Sequence, residues 1–531
     1  MGDAAFSAHP VWVSVDNGDD VSLNCLLFIR VSRGSIMKTP NDPMKPIPNA
    51  IFSPTGDLST EQFRAAGHEL IEWAAHYLET VGELPVVPPI RPGWLQAQLP
   101  PSPPQNPEPF QNVLQDLDRL ITPANTHWNH PAFFAYFSIT GSMPGILGEL
   151  VAATYNVNGM LWKTSPAATE LEGVVLQWLL KMIGLPENWF GIVYDTASMA
   201  SLCAIAAARE ALQLKIREEG MAGRADLPRL RLYTSDQAHS SIEKGAIILG
   251  MGQQGVRKIG VDAEFRMDAF ALEHAIREDI AAGWKPFCVC ATVGTTSTTS
   301  IDPVPAIADI CERYHLWLHV DAAYGGSAAI LPEMRGVLAG CERADSLVTN
   351  PHKWLFTPID FSAFFTRRPE VLRQAFSLVP EYLRTSEGDQ VKNLSDYGVS
   401  LGRRFRALKF WFVIRAFGVT GLQARIREHI RWAQTVAHWI DECPEFERLA
   451  PTPFSTICFR AHPPQMNDDV QLNRLNEQLL EKVNATGRVF MSHTKLNGMF
   501  TLRWAIGNLR TTEARIGETW EIIQRSFRQM V

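Results

Sequence analysis

Two short apolar runs in this chain each end at a residue able to do chemistry. Leu316-Trp317-Leu318-His319-Val320 leads into Asp321-Ala322-Ala323-Tyr324-Gly325-Gly326, and Ser346-Leu347-Val348-Thr349 leads into Asn350-Pro351-His352-Lys353-Trp354. If both runs are strands of an open α/β sheet, they deliver an acid and a lysine to the crevice beyond the strand ends, where such sheets bind ligands. Asp321 follows an apolar strand and Lys353 stands between His352 and Trp354, so partial desolvation favours the neutral amine unless a counter-charge intervenes. A neutral lysine attacks carbonyls, and a carboxylate keeps a heterocyclic nitrogen protonated. The pairing suits an aldehyde cofactor such as pyridoxal phosphate. By spacing alone, a structural Asp–Lys ion pair stays open as the alternative.

Other residues add to this pair. Asp195-Thr196-Ala197-Ser198 precedes an alanine-rich run at 204–212. It presents hydroxyls and free backbone N–H groups at a helix start, which is either a phosphate site or a plain N-cap. His239, just beyond a strand, could stack on a flat ring or be a structural histidine. Thr296 closes another strand, with a turn hydroxyl as the alternative. Trp128, Phe133, Phe134, Tyr136, Phe137 and Trp162 supply material for an aromatic-lined pocket, although such density also suits a core. Gly250-Met251-Gly252-Gln253-Gln254-Gly255 matches a dinucleotide fingerprint, but that motif must open a helix. Val256-Arg257-Lys258-Ile259 reads as a strand, so a glycine-rich turn is expected there.

The elements that must position these groups are legible in the patterning. From about residue 140, helices alternate with short β-rich runs, the signature of an α/β sheet with crossover helices. Strands are expected at 231–234, 287–293, 316–320, 346–349 and 361–365, and the run 456–460 belongs with further helices in a smaller α+β domain. Ser165-Pro166 opens a helix as cap residue and first-turn proline, and Gly184 closes it. Ser59-Thr60-Glu61-Gln62 opens an amphipathic helix through Leu78. Ten prolines between Pro85 and Pro109 mark an extended arm. Residues 1–55, with six prolines and no sustained period, read as a flexible extension.

The 531 residues, 46% hydrophobic and 20% charged, describe a folded protein with a large core. Lys+Arg 49 against Asp+Glu 56 gives a net charge of −7, so no positive field exists to hold nucleic acid. The basic cluster Arg403, Arg404, Arg406 and Lys409 has helical spacing and is expected to be a solvated or interface face. Eight cysteines without a C-x-x-C suit reduced thiols in the cytoplasm. No metal-ligand motif and no membrane span stand out.

Taken together, the strings HPAFFAYF, SPAATELE, SDQAHSSIEKG, HVDAAYGGSA, TNPHKWLF and LGRRFRALKFWFV resemble the pyridoxal-phosphate-dependent group II amino-acid decarboxylases, most of all the aromatic L-amino-acid decarboxylases. The resemblance runs from about Pro107 to the C-terminus. It implies the α/β type I pyridoxal-phosphate fold, similar to aspartate aminotransferase. That fold would have an N-terminal helical arm (56–140), a large mostly parallel-sheet domain (141–410) and a small C-terminal domain (411–531). It implies a homodimer with the active site at its seam, pyridoxal 5'-phosphate as cofactor and a small amino acid as substrate. By matching position, Lys353 is the cofactor-linking lysine, Asp321 the ring-nitrogen partner and His239 the stacking residue. Ala197, Ser198 and Asn350 are phosphate binders, Thr296 and Ala323 cofactor neighbours, and His352 a neighbour of the substrate carboxylate. Trp128, Tyr136, Phe137 and Trp162 are expected to face the substrate. Relatives carry a loop tyrosine shortly before the LGRRFR string, and counting seven places back from Leu401 gives Leu394. The carbanion's proton donor is then to be sought among Tyr397, His352 and Lys353, and oxygen-dependent aldehyde formation is an alternative outcome. A catalytically silent cofactor-binding scaffold is a second.

Overall fold

The computed structural model describes residues 56–378, 387 and 390–531. The extension expected at 1–55 lies outside the described residues. A seven-stranded sheet has the order β1-β7-β6-β5-β4-β2-β3. Its strands are β1 (Phe190–Tyr194), β2 (Arg229–Ser235), β3 (Val256–Ile259), β4 (Trp284–Thr292), β5 (Trp317–Asp321), β6 (Ser346–Thr349) and β7 (Ser362–Thr366). The pairs β2/β3, β2/β4, β4/β5 and β5/β6 are parallel, and only β7 runs against its neighbours. Helices connect the parallel strands, as crossover topology requires. The near-continuous apolar character of β4, β5 and β6 follows from burial on both faces.

Register does the positioning. Thr292 of β4 pairs with Asp321 of β5, and Asp321 with Val348 of β6, so the three carboxyl ends finish in one row. β1 is antiparallel to β7 and therefore parallel to β6, so its carboxyl end lies at the same edge. The helix that follows, Ala197–Glu210, starts at this edge and is capped by Thr196, whose side chain accepts the Met199 N–H. Gly255 leads into β3, as expected for a turn and not for a dinucleotide loop.

A second, antiparallel sheet has the order β10-β11-β9-β8. It comprises β8 (Phe446–Arg448), β9 (Thr456–Ala461), β10 (Ser492–Leu496) and β11 (Met499–Ala505). Residues of the helices Asp469–Ala485 and Glu513–Arg528 close its core. The helix Arg406–Asp441, broken at Gly418, supplies Phe410 and Val413 to the large core and Ala433 and Val436 to the small one. The boundary expected at 410/411 thus falls inside a helical stretch.

Three local expectations need correction. Ser165 precedes the helix Pro166–Ile183, but its hydroxyl bonds the Asn158 carbonyl and does not cap. The proline-rich arm contains a short helix, Trp94–Gln98. The basic cluster is not a solvated face: Arg403 and Lys409 are buried and Arg406 is half-buried, each paired with an acid, and only Arg404 is exposed. Helical spacing alone does not say which way a face turns. The capping box at the first helix does form, with reciprocal bonds between Ser59 and Gln62.

Candidate active site

Beyond the carboxyl row of the large sheet lies a cavity of about 510 Å³. Its lining includes Ala197, Ser198, His239, Thr296, Asp321, Ala323, Asn350, His352 and Lys353, and Trp128, Tyr136 and Phe137 stand in its wall. Every cofactor residue named from the sequence therefore meets in one place. Trp162 does not line this cavity: its indole donates to Glu170 Oε1 at 2.8 Å, and its backbone N–H to Asn393 Oδ1 at 3.1 Å. Tyr397 is also elsewhere, packed on Phe190 with its carbonyl bonded by Tyr194. Leu394 is buried in the cluster beneath β1.

Lys353 is carried by the single helical turn Pro351–Trp354 directly after β6. Burial pushes its amine below the ordinary lysine range and the Arg503 guanidinium adds to that, while Asp321 opposes both. The amine is thus biased toward the neutral, nucleophilic form. Asp321 ends β5, only 6% exposed, and its Oδ1 accepts the Ala323 N–H at 3.0 Å, which fixes the carboxylate plane at the cavity floor. His239 Nδ1 accepts the Ser241 N–H at 3.2 Å and lies 2.9 Å from the Ser241 hydroxyl, so the ring proton belongs on Nε2. Burial lowers its proton affinity, opposed by Asp321 and aided by Lys353 and Lys244.

His352 is held as neutral imidazole, its pKa pushed down to about 3 by burial and the neighbouring Lys353. Its Nδ1 accepts the Phe361 N–H at 2.9 Å, so Nε2 carries the hydrogen. Nε2 lies 3.4 Å from the Asn350 amide, whose Oδ1 is buried without a partner. Turning that amide pairs Oδ1 with Nε2–H and leaves the Asn350 NH2 to donate elsewhere. Near it, the first turn of Ala197–Glu210 exposes backbone N–H groups and the positive end of a four-turn helix. Asn350 and this helix start form a cradle for an anion.

The remaining wall was not legible in the sequence reading. Ser492, His493, Thr494 and Arg503 reach the cavity from the small sheet. The Arg503 guanidinium is 4% exposed, donates from Nε to the Ser297 carbonyl at 2.9 Å and from Nη1 to the Tyr136 carbonyl, and lies 4.6 Å from the Phe137 ring centroid. The Lys353 Nζ lies 5.1 Å from the same ring. Phe137 stacks on Tyr324 at 4.0 Å, and Tyr324 on Trp354 at 4.7 Å, so three rings back the site. A lone arginine inside the apolar run Met499–Ala505 is the signal that could have found Arg503. Two glycines let the loops after β4 and β5 touch: Gly294 has φ 92°, and a Cβ on Gly325 would meet the Val293 carbonyl oxygen at 2.6 Å.

A family model for the pyridoxal-dependent decarboxylase conserved domain matches residues 92–462. A tryptophan decarboxylase of Camptotheca acuminata is 41% identical over 477 residues, which is 88% of this chain and 95% of the relative. A phenylacetaldehyde synthase of a Rosa hybrid cultivar is 39% identical over 486 residues, 88% of this chain and 94% of that protein. The solved structure of an Oryza sativa TDC with PLP and tryptamine superposes with a TM-score of 0.86 at 36% identity, covering 90% of this chain and 99% of that one.

Proposed function

This chain belongs to the pyridoxal-dependent decarboxylase family, and on that premise we propose that it removes the α-carboxyl group of an aromatic L-amino acid, giving the amine and carbon dioxide. It is a carboxy-lyase of the type I fold that works with pyridoxal phosphate. The observation that carries the substrate reading is the single cavity in which Lys353, Asp321 and an anion cradle face an aromatic wall.

The residues present fit the cofactor. The Asn350 amide and the first turn of Ala197–Glu210 would hold its phosphate, Asp321 its ring nitrogen, His239 a ring face, and Lys353 its aldehyde carbon. When bound, pyridoxal phosphate supplies an electron sink for the pair released as the Cα–carboxylate bond breaks. Asp321 would stand against the ring nitrogen, where a carboxylate favours the protonated ring. Lys353, biased toward neutrality, takes and returns protons at its Nζ. The Phe137–Tyr324–Trp354 stack excludes water from one side, and Trp128 and Tyr136 offer apolar area to an aromatic side chain. His352, neutral and locked by the Phe361 N–H, orients the Asn350 amide.

We also infer a homodimer with the site at its seam. Met143, Leu147 and Leu150 stand 54%, 46% and 48% exposed in register along the helix Met143–Tyr155, an apolar stripe that a twofold copy would cover. Trp162, outside its own cavity, would then be free to serve the partner's. A cytoplasmic location is supported by free cysteines among the described residues and by the finding that no described helix is long and apolar enough to cross a membrane.

The test is a panel of L-amino acids incubated with protein and cofactor, reading amine, aldehyde, carbon dioxide and oxygen uptake together. Amine and carbon dioxide from tryptophan, tyrosine, phenylalanine or dihydroxyphenylalanine support the reading. Oxygen consumption with aldehyde, the product named in the rose relative, would replace it by oxidative decarboxylation. Absence of carbon dioxide from every substrate would leave a silent scaffold.

A further inference from the structure

One polar residue beneath Asp321 is not used by the chemistry above. His319 precedes Asp321 by two, so both side chains leave the same face of β5. That is the face of Trp317, which shares a buried cluster with Cys203 and Ala204 of the helix Ala197–Glu210. The His319 ring is fully buried, and its Nδ1 lies 3.0 Å from the hydroxyl of Ser346, its register partner on β6. Ser346 Oγ accepts the Trp317 indole N–H at 2.9 Å, and the tautomer in which its own hydrogen goes to Nδ1 puts the ring proton on Nε2. Nε2 has no hydrogen-bond partner, and neither has the buried Ser201 hydroxyl on the helix over this face.

A buried donor left unpaired costs about 1–3 kcal/mol. A leucine or valine would fill this apolar position without that cost, so packing alone gives no reason for a histidine. The Asp321 carboxylate does. It is the charge that acts on this imidazole, and with the Ser346 backbone it draws the proton affinity up against a burial that holds it down to about 4. Two residue rises of ~3.3 Å separate their Cβ atoms by about 6.6 Å, a span for a charge–dipole interaction or one bridging water.

We propose that His319 is a positioning residue for Asp321: a neutral imidazole, fixed in orientation by the Trp317–Ser346 chain, whose Nε2–H serves the carboxylate and holds it aligned for the cofactor's ring nitrogen. The proposal rests on the reading of Asp321 given above. Its test measures cofactor binding, not turnover. Wild type, His319→Leu, His319→Gln and Ser346→Ala are stripped of cofactor and titrated with pyridoxal phosphate, following visible absorbance and tryptophan quenching at several pH values.

His319→Leu is expected to weaken affinity ~10-fold or more, the scale on which partners that orient a ligating group act, and to move the pH dependence of the bound cofactor's absorbance. His319→Gln, whose amide N–H replaces Nε2–H, recovers most of the affinity, and Ser346→Ala falls between. In an Asp321→Asn background, His319→Leu changes affinity little, because the group it serves is gone. Wild-type affinity in His319→Leu, or an equal loss in both backgrounds, overturns the proposal. A wild-type protein that takes up no cofactor overturns the reading of the site instead. Should His319→Leu not fold, His319→Gln and Ser346→Ala carry the same comparison in both backgrounds.

Discussion

Replacing Glu172 by glutamine tests how the anion cradle is held. Glu172 Oε1 accepts both the Arg403 guanidinium at 2.6 Å and the Val193 N–H at 2.8 Å, and Arg403 also donates to the Val193 carbonyl at 3.2 Å. The two side chains are only 6% and 8% exposed. β1 is thereby gripped through both backbone groups of one residue, two residues before Asp195 and the cradle. Glutamine keeps shape and one acceptor oxygen but removes the charge, leaving Arg403 buried without its counter-ion. Breaking a buried pair from one side costs ~3–5 kcal/mol, and the retained acceptor places Glu172→Gln near the lower figure. The assay is urea denaturation followed by tryptophan fluorescence. With a slope of about 3 kcal/mol per molar, a loss of this size moves the midpoint by roughly 1 M. Cofactor affinity should fall too, since the start of Ala197–Glu210 loses its anchor. In the double variant Glu172→Gln/Arg403→Met no buried charge is left unpaired, so its loss should be smaller than the sum of the two single losses. A midpoint indistinguishable from wild type in Glu172→Gln refutes the reasoning.

Lys353→Ala and Asp321→Ala should each remove most carbon dioxide release, and borohydride trapping followed by peptide mapping should mark position 353 in wild type alone. Phe137→Ala removes the ring shared by Lys353 and Arg503 and opens the wall, and kcat/KM for an aromatic substrate should fall ~10-fold or more, an ordinary loss for a pocket contact. Stability should decline with acid: His130, His319, His352 and His429 are held neutral by burial with pKa values of about 4, 4, 3 and 4, below the ordinary 6.5. Each takes a proton on unfolding below pH 6.5, so the fold loses stability as pH falls from there toward 4. Asp302, raised to about 6 by burial, opposes them by one proton. A net uptake near three protons gives a slope of ~4 kcal/mol per pH unit, and urea midpoints that stay flat between pH 6.5 and 4.5 would contradict it.

The part of the cavity at the edge of the large sheet was readable because its residues sit at the ends of apolar strands. Asp321, Lys353, His239 and Thr296 each follow a run that local patterning marks, and parallel topology sends those ends to one edge. The wall supplied by the small sheet was harder. Arg503, Ser492, His493 and Thr494 come from strands more than 130 residues after Lys353, and nothing in their local sequence says which cavity they meet. β1 was missed because FGIVY is short and carries a glycine at its second position. Arg403 was misread because an ion pair with a residue 231 positions away leaves no local trace. Trp162 shows the limit from the other side: composition suggests a pocket aromatic, while its indole is turned to Glu170 outside the cavity.

The touching loops at Gly294 and Gly325 have a consequence for how this molecule can change. Neither position tolerates a side chain, so the rear of the cofactor chamber is fixed at the level of single atoms. Any drift in substrate choice must therefore enter through the front, where Trp128, Tyr136, Phe137 and the C-terminal strands stand. A library aimed at new substrates should be confined to that quarter of the chamber.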